Sequence, residues 1–481
     1  MTTFEEYPAP RPAIPELRAP RRIWAWLGNP VIVFLVLSAL FGSAIILVNP
    51  PLRGPDEAAH FVRIYGISDG EIVPATRDAQ GRKGAMLPAR IHRDFDYFES
   101  ARYKVGTLGF SYHEVVDTWR KAPPRGAEGP ASFVLLQGAE SYAPFSYLPY
   151  LPAIAVARLA NLDFLGTLYL LRVTGFVLMT LVAAYAIALT PHLKWAFLMI
   201  AMLPAALYGR AVIGADGAAL SFVLVVAGLS LRTIDAPARR VGEQALWMTL
   251  CVIAKLSNVA FIVLEAMRGP VRDLPRRWGA VALIVLPGLA LTLWWVAATG
   301  GDVGTWRVIA GTGTPAEKFD LTTKLWFMAG NPLHFFAAMI STLDNWRELS
   351  RALIGILGWG DTALQMWIYP IIGLMLAATF FARLEFDRAA RLRAGVVAGL
   401  GAVGYFVLVF LIFYLTWTPV AEEKIWGVQG RYFVMMLPLV AIMIAALVNR
   451  APRESTTAAI AVAGAILSGC ATLEALWRVH W

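Results

Sequence analysis

Nine long apolar runs constrain this chain more than any single motif. They cover 31–48, 167–189, 195–213, 217–231, 279–299, 366–381, 394–416, 434–448 and 456–476. Most approach the length of about 20 apolar residues that carries a helix through a bilayer, and 217–231 is somewhat short. Because lipid offers no hydrogen-bond partner to a bare backbone, each such run must satisfy its own polar groups as a helix. Charged residues are only 16% of the 481 and hydrophobic residues 58%, where soluble domains carry about 25% charged. The sequence therefore predicts an all-α polytopic integral membrane protein.

The charges between the runs set an orientation. Arg18, Arg21 and Arg22 precede the first run, which lacks a small-residue cleavage site. It reads as a retained anchor with the N-terminus inside, preceded by a Pro-rich, disordered basic tail over 1–30. Keeping the basic loops "RTIDAPARR" and "DRAARLRA" cytoplasmic gives a thread of about eleven crossings. It leaves three outside segments, 49–165, 300–365 and the stretch "WTPVAEEKIWGVQGRYF". The parts expected are a module over 31–299 containing the first outer loop, a second outer loop over 300–365 and C-terminal transmembrane helices over 366–481. Cys251 and Cys470 both lie in apolar sequence, so neither a disulfide framework nor a thiolate metal cluster is expected. The net charge of +9 fits cytoplasmic anchoring, and without basic stretches interleaved with aromatics it does not suggest nucleic acid.

Two segments resist a simple span. The stretch 243–267 is flanked by basic clusters on both sides, so it is expected to rise and return as two short helices meeting near Lys255, Ser257 and Asn258. The stretch 141–164 is apolar but carries three prolines within nine residues and Arg158; it is assigned to the outer surface as membrane-hugging helix. The second loop holds "LTTKLWFMAGNPLHFFAAMISTL", which reads as a helix lying in the interface.

Ionisable residues concentrate on the outer side. Behind the first run, Pro50 and Pro51 stop the helix, Gly54 and Pro55 turn the chain, and Asp56 stands where it would cap a new helix. In that helix Asp56, His60 and Arg63 share one face. A carboxylate at the membrane boundary suits a general base acting on a lipid-borne substrate, with Glu57 the second choice. Arg210, Lys255 and Arg431 come from separate segments on the same side and suit a lipid phosphate. Asp216, Tyr142, Tyr147, Trp359, Asp361 and Tyr432 complete the substrate-binding candidates, and Trp346 is a further aromatic suited to sugar stacking or interface anchoring. Asp56, Glu57 and His60 also leave a divalent cation open, Mg or Mn, although no second His stands at zinc-protease spacing. "DFD" at 94–96 and "GTGTP" at 311–315 are weak matches to metal or phosphate motifs.

Six stretches taken together carry a resemblance: "PPLRGPDEAAHFVR", "YAPFSYLPYLPAIAVARL", "GRAVIGADGAALSFVL", "AKLSN", "GILGWGDT" and "QGRYFVMMLPL". The combination resembles a bacterial group of polytopic membrane proteins related to the GT-C glycosyltransferases. That class includes the protein O-mannosyltransferases and the aminoarabinose transferase of lipid A. The resemblance covers roughly 31–448 and implies a GT-C-like bundle in the bacterial inner (plasma) membrane, its site facing the periplasm or exterior. It implies transfer of a sugar from a polyprenyl-phosphate donor to a glycan or lipid-linked glycan. The class's acidic residue of the first outer loop, a base or metal ligand, falls on Asp56, its phosphate-contacting basic residue on Lys255, and its later aspartate on Asp216. The departure is the C-terminal end, where no soluble acceptor-binding domain is evident. Competing expectations are a flippase or transporter of a lipid-linked glycan, and a polysaccharide polymerase or ligase.

Overall fold

The structure, a computed structural model, describes residues 28–102, 111–121, 129–234, 240–299, 314 and 316–481. The tail over 1–27, the centre of "RTIDAPARR" and most of 311–315 lie outside the described residues. Within them the chain is mainly helical. Helix α1 (Pro30–Val48) begins on Asn29, whose side chain accepts the Val31 amide at 3.0 Å, and Pro30 fits its first position because no N–H is needed there. It is followed by α2 (Glu57–Ser68), β1 (Gly84–Leu87), α3 (Ala89–Arg102), α4 (Tyr112–Lys121), β2 (Ser132–Leu135) and α5 (Leu151–Leu159). Thus the described part of 49–165 is folded. β1 and β2 pair antiparallel from Gly84 opposite Leu135 to Leu87 opposite Ser132, and α2 is buried from Glu57 to Ile67.

The membrane body continues with α6 (Phe164–Leu189), α7 (Lys194–Ala201), α8 (Pro204–Ala211), α9 (Asp216–Arg232), α10 (Val241–Ala254), a 3₁₀ segment Leu256–Arg268 and α11 (Leu274–Thr299). After the short α12 (Leu321–Gly330), α13 (His334–Leu343) and α14 (Trp346–Gly355) come α15 (Ile368–Thr379), α16 (Arg388–Thr416), a 3₁₀ turn Gly430–Met436 leading into α17 (Leu437–Val448), and α18 (Glu454–His480). Six helices among the described residues are long and apolar enough to cross a membrane: Pro30–Val48, Phe164–Leu189, Leu274–Thr299, Arg388–Thr416, Gly430–Val448 and Glu454–His480. Counting the bent pair α8 and α9 as one span makes seven.

Several expected runs are interrupted for local reasons. The run 195–213 divides at Met202 and Leu203 because Pro204 cannot continue a helix and forces Leu203 into extended backbone, ψ 143°. The chain then bends by 120° between α8 and α9. At Lys255 the backbone is extended, φ −154° and ψ 129°, so the expected break in 243–267 is present. Helix α15 has twelve residues, about 18 Å at 1.5 Å per residue, short of the hydrocarbon thickness of about 30 Å. α5 is shorter still, nine residues, and is no span by length.

Hydrogen bonds between elements sort the helix ends. At one end Trp481 donates to the Val48 carbonyl at 2.8 Å, Lys324 to Leu415 at 2.8 Å and Arg478 to Ala363 at 2.8 Å. At the other, Arg232 donates to Leu189 at 3.1 Å, Arg393 to Met267 at 3.0 Å, and the Leu384 amide to Asn449 at 2.8 Å.

One buried ion pair joins the first end together. Arg172 of α6 meets Glu57 of α2 through Nε to Oε1 at 2.8 Å and Nη2 to Oε2 at 2.7 Å, and neither side chain is exposed. Arg172 also donates to the carbonyls of Asn49 at 2.7 Å and Pro50 at 2.8 Å, while Glu57 accepts the amides of Gly54 and Ile213, each at 3.0 Å. Removing one member strands the other charge in a dry site, which costs about 3–5 kcal/mol. Glu57→Ala is therefore expected to cost detergent-solubilised protein most of its cooperative thermal transition, read by tryptophan fluorescence; an unchanged midpoint would contradict this role.

Candidate active site

Asp56 reaches the site through a strained turn. It occupies the position before α2 with φ 54°, a left-handed conformation unusual for a residue with a Cβ, and its side chain makes no cap. The expected capping by Asp56 is corrected: Glu57 takes the Gly54 amide, and the Asp56 carboxylate turns toward Arg431, Oδ2 to Nη2 3.3 Å. Arg431 comes from the 3₁₀ turn before α17, and Gly430 allows the approach. A Cβ built on Gly430 would lie 1.9 Å from the Leu349 carbonyl oxygen.

The charge pattern extends from there. Arg431 Nε lies 3.8 Å from Asp216 Oδ2, and Lys255 Nζ is 2.7 Å from Asp216 Oδ1. Asp216 opens α9 just after the 120° reversal, and Lys255 stands at the break behind α10. Tyr432 supports both cations, its ring 4.5 Å from Lys255 Nζ and 5.2 Å from Arg431 Cζ, within cation–π range. Two carboxylates and two cations thus alternate, Asp56–Arg431–Asp216–Lys255, and their formal charges cancel.

Two cavities meet at Asp56, His60, Tyr142 and Arg431. The narrower, about 50 Å³, is walled by Asp216 and by apolar residues including Ala205, Val212, Leu220, Val434 and Met435. The wider, about 270 Å³, is walled by Gln137, Trp359, Phe413, Trp417, Gln429 and Tyr432. His60 is fixed by Tyr147, Nδ1 to the hydroxyl oxygen 2.7 Å, and Tyr142 sits edge-on to its ring at 5.3 Å. Burial pushes the Tyr142 and Tyr147 hydroxyls well above their ordinary range, so both act as neutral hydrogen-bonding groups.

Asp56, His60, Asp216, Lys255, Arg431, Tyr432, Tyr142 and Trp359 are brought to this site or its walls, with Tyr147 behind His60. Others of the expected residues are placed elsewhere. Glu57 is committed to Arg172 and to two backbone amides, which leaves it no face toward either cavity. Arg210 is buried away from both, donating to the Ala201 carbonyl at 2.7 Å and lying 5.3 Å from the Phe34 ring; it caps the interrupted end of α7. Arg63 holds the chain after α2, donating to the carbonyls of Glu71 at 2.9 Å and Ile72 at 2.6 Å. Asp361 pairs with Arg53 at 2.6 Å and orients the turn that carries Trp359. In "DFD", Phe95 is buried, Asp96 is exposed and Asp94 lies 3.6 Å from Arg93, so the two carboxylates point away from each other on α3. With Glu57 engaged, Asp56, Glu57 and His60 do not form a cation site. No group of three His, Cys, Asp or Glu side chains among the described residues is arranged to hold a metal.

Arg172, Gln137, Trp417 and Gln429 were outside the sequence expectations. Arg172 had a signal, being the one charge within 167–189, and intramembrane charge marks a partner or a site. The other three are ordinary loop residues in sequence.

His60 lies outside the spans and its pKa is held below the ordinary histidine value. Burial penalises the imidazolium, and this outweighs the Asp56 and Asp216 carboxylates, which favour it. In the unfolded chain the ring takes a proton near pH 6.5, so the native state loses relative stability as pH falls below about 6.5. His60→Gln is expected to flatten part of the drop in melting temperature between about pH 7 and pH 5; parallel curves for the two proteins would count against it. For Gly430→Ala, overpacking against the Leu349 carbonyl is expected to cost roughly 1–3 kcal/mol and to displace Arg431, seen as a lowered denaturation midpoint; a neutral result would show that the turn relaxes freely.

No curated protein and no solved structure matches the chain. The family model described as "Predicted membrane protein (DUF2142)" matches residues 39–467, a span that includes every residue of the site described above. The chain belongs to this DUF2142 family of membrane proteins.

Proposed function

We propose that this protein is a membrane glycosyltransferase of GT-C type, moving a sugar from a polyprenyl-phosphate donor to an extracytoplasmic glycan or lipid-linked acceptor. The observation that carries the reading is the alternating Asp56–Arg431–Asp216–Lys255 array, set where an apolar cleft between helices meets a wider polar and aromatic cavity. A lipid phosphate brings one negative charge and an apolar chain, and the cleft offers Arg431 and an apolar wall, with Lys255 paired to the Asp216 that lines it. The thread of about eleven crossings, the outward orientation and the bacterial plasma membrane are parts of the same proposal, as is the likeness to the GT-C class.

The chemistry asks for a base and for stabilisation of the leaving group. The acceptor hydroxyl gives its proton to Asp56, its oxygen bonds to the anomeric carbon, and the bond from that carbon to the phosphate oxygen breaks. The electron pair leaves on the phosphate, held by Lys255 and Arg431. A single displacement of this kind inverts the anomeric centre. Arrival of the phosphate also competes with Asp56 for Arg431, so donor binding frees the base.

One observation favours a second reading, a flippase: the 120° reversal between α8 and α9 beside Asp216 is the kind of broken helix that lines transport pathways. Purified protein in liposomes with radiolabelled polyprenyl-phosphate sugars separates the two. Release of polyprenyl phosphate, reduced about 10²–10⁴-fold in Asp56→Asn, is the expected result. Full transfer by Asp56→Asn would remove Asp56 as base, and leaflet exchange of lipid-linked glycan without donor consumption would establish the flippase instead.

A further inference from the structure

The wider cavity has a composition that the donor does not explain. Apart from tyrosine hydroxyls, its ionisable lining residues are Asp56, His60 and Arg431, all on the boundary shared with the narrower cleft. Beyond that boundary the wall consists of aromatic rings and neutral polar groups. Trp359, Phe413, Trp417 and Tyr432 supply the rings; Phe413 stacks on Tyr432 with centroids 5.1 Å apart and lies 6.4 Å from Trp417. Gln429 supplies an amide that both donates and accepts; Gln137 also lines the wall, its amide nitrogen donating to Glu99 at 3.3 Å.

Each alternative occupant lacks something it needs. A phosphate or carboxylate ligand would want cations away from the Asp56 boundary, and among the described residues the lining offers none there. A lipid chain would leave the Gln429 amide without a reason to face it. A neutral sugar ring fits both halves of the wall: its C–H face lies on the aromatic plates, and its hydroxyls exchange hydrogen bonds with the Gln429 amide and tyrosines. The volume, about 270 Å³, is near the lower end of ligand cavities, about 300 Å³, which suits one ring at the inner end of a longer chain. Two lining residues, Gln137 at φ 49° and Asp56 at φ 54°, are left-handed non-glycine residues, and such conformations persist where surrounding structure holds them.

We propose that this cavity is a saccharide subsite for the acceptor, selective for a neutral pyranose over a uronic acid, with Trp417 and Trp359 as its aromatic plates and Gln429 reading the hydroxyls. The acceptor role rests on the glycosyltransferase reading, because it is the neighbouring Asp56 that would take the acceptor proton; the neutral-sugar selectivity stands on the lining alone.

Equilibrium binding of tritiated oligosaccharides to the purified full-length protein in nanodiscs, without donor, tests it. Neutral oligosaccharides are expected to bind at least tenfold more tightly than their uronic-acid counterparts. Trp417→Ala is expected to lose at least tenfold in affinity, Trp417→Phe to retain most of it, and Gln429→Ala, on an exposed residue, to lose severalfold without loss of fold. Equal binding of uronates, or Trp417→Ala and Gln429→Ala proteins that are folded and bind as wild type, would overturn the subsite. Saccharide binding without donor consumption would sink the glycosyltransferase reading while leaving the subsite standing, and donor consumption without saccharide binding would do the reverse.

Discussion

The Glu57–Arg172 pair is the interaction on which the site depends. Two charges inside a membrane body face a desolvation cost of several kcal/mol each, recovered only when every polar atom finds a partner. Here nearly all do: Arg172 reaches the last turn of α1 and the Pro50 carbonyl, and Glu57 reaches Gly54 and Ile213. Those contacts fix three separate pieces of chain at one point. Glu57 is the neighbour of Asp56, and Ile213 stands three residues before Asp216, so a knot with no face toward the cavities places both carboxylates that have one.

Around that anchor, the charges at the site are balanced and therefore exchangeable. Asp216 lies between Lys255 and Arg431, and Arg431 in turn touches Asp56. A neutral array at a membrane boundary is cheaper to hold than a bare cation cluster, and it leaves the cations available to an incoming anion of comparable charge density. Tyr432 lies against both cations of the array, while Tyr142 and Tyr147 flank His60. The backbone breaks at 212–215 and 255 bring Asp216 and Lys255 together, while the break at 202–203 leaves the Ala201 carbonyl to Arg210.

Parts of this were legible in the sequence. Apolar run length and bracketing charge located most of the long helices, and the two basic clusters around 243–267 located the Lys255 break, because a charge imbalance across the bilayer has a large cost that no local packing cancels. The co-location of Asp56, Lys255 and Arg431 followed from placing their segments on one side. Misplaced residues share a cause. Glu57 and Arg210 carry the right charge at the right depth, yet depth does not say which way a side chain turns. One turns to Arg172 and the other back to the Ala201 carbonyl.

What the sequence determined by itself is therefore the class of the fold and the level of the site: a multi-pass helical membrane protein whose Asp56, Lys255 and Arg431 come from segments placed on one side. Hydropathy acts residue by residue and is summed along a helix, so it survives without knowledge of neighbours. The tertiary structure alone decided which carboxylate is spent on holding the fold and which faces the cavity, and which loop aromatics stand together. Those choices depend on contacts between residues more than a hundred positions apart, 57 with 172 and 56 with 431, and no local pattern encodes the angle at which distant helices meet.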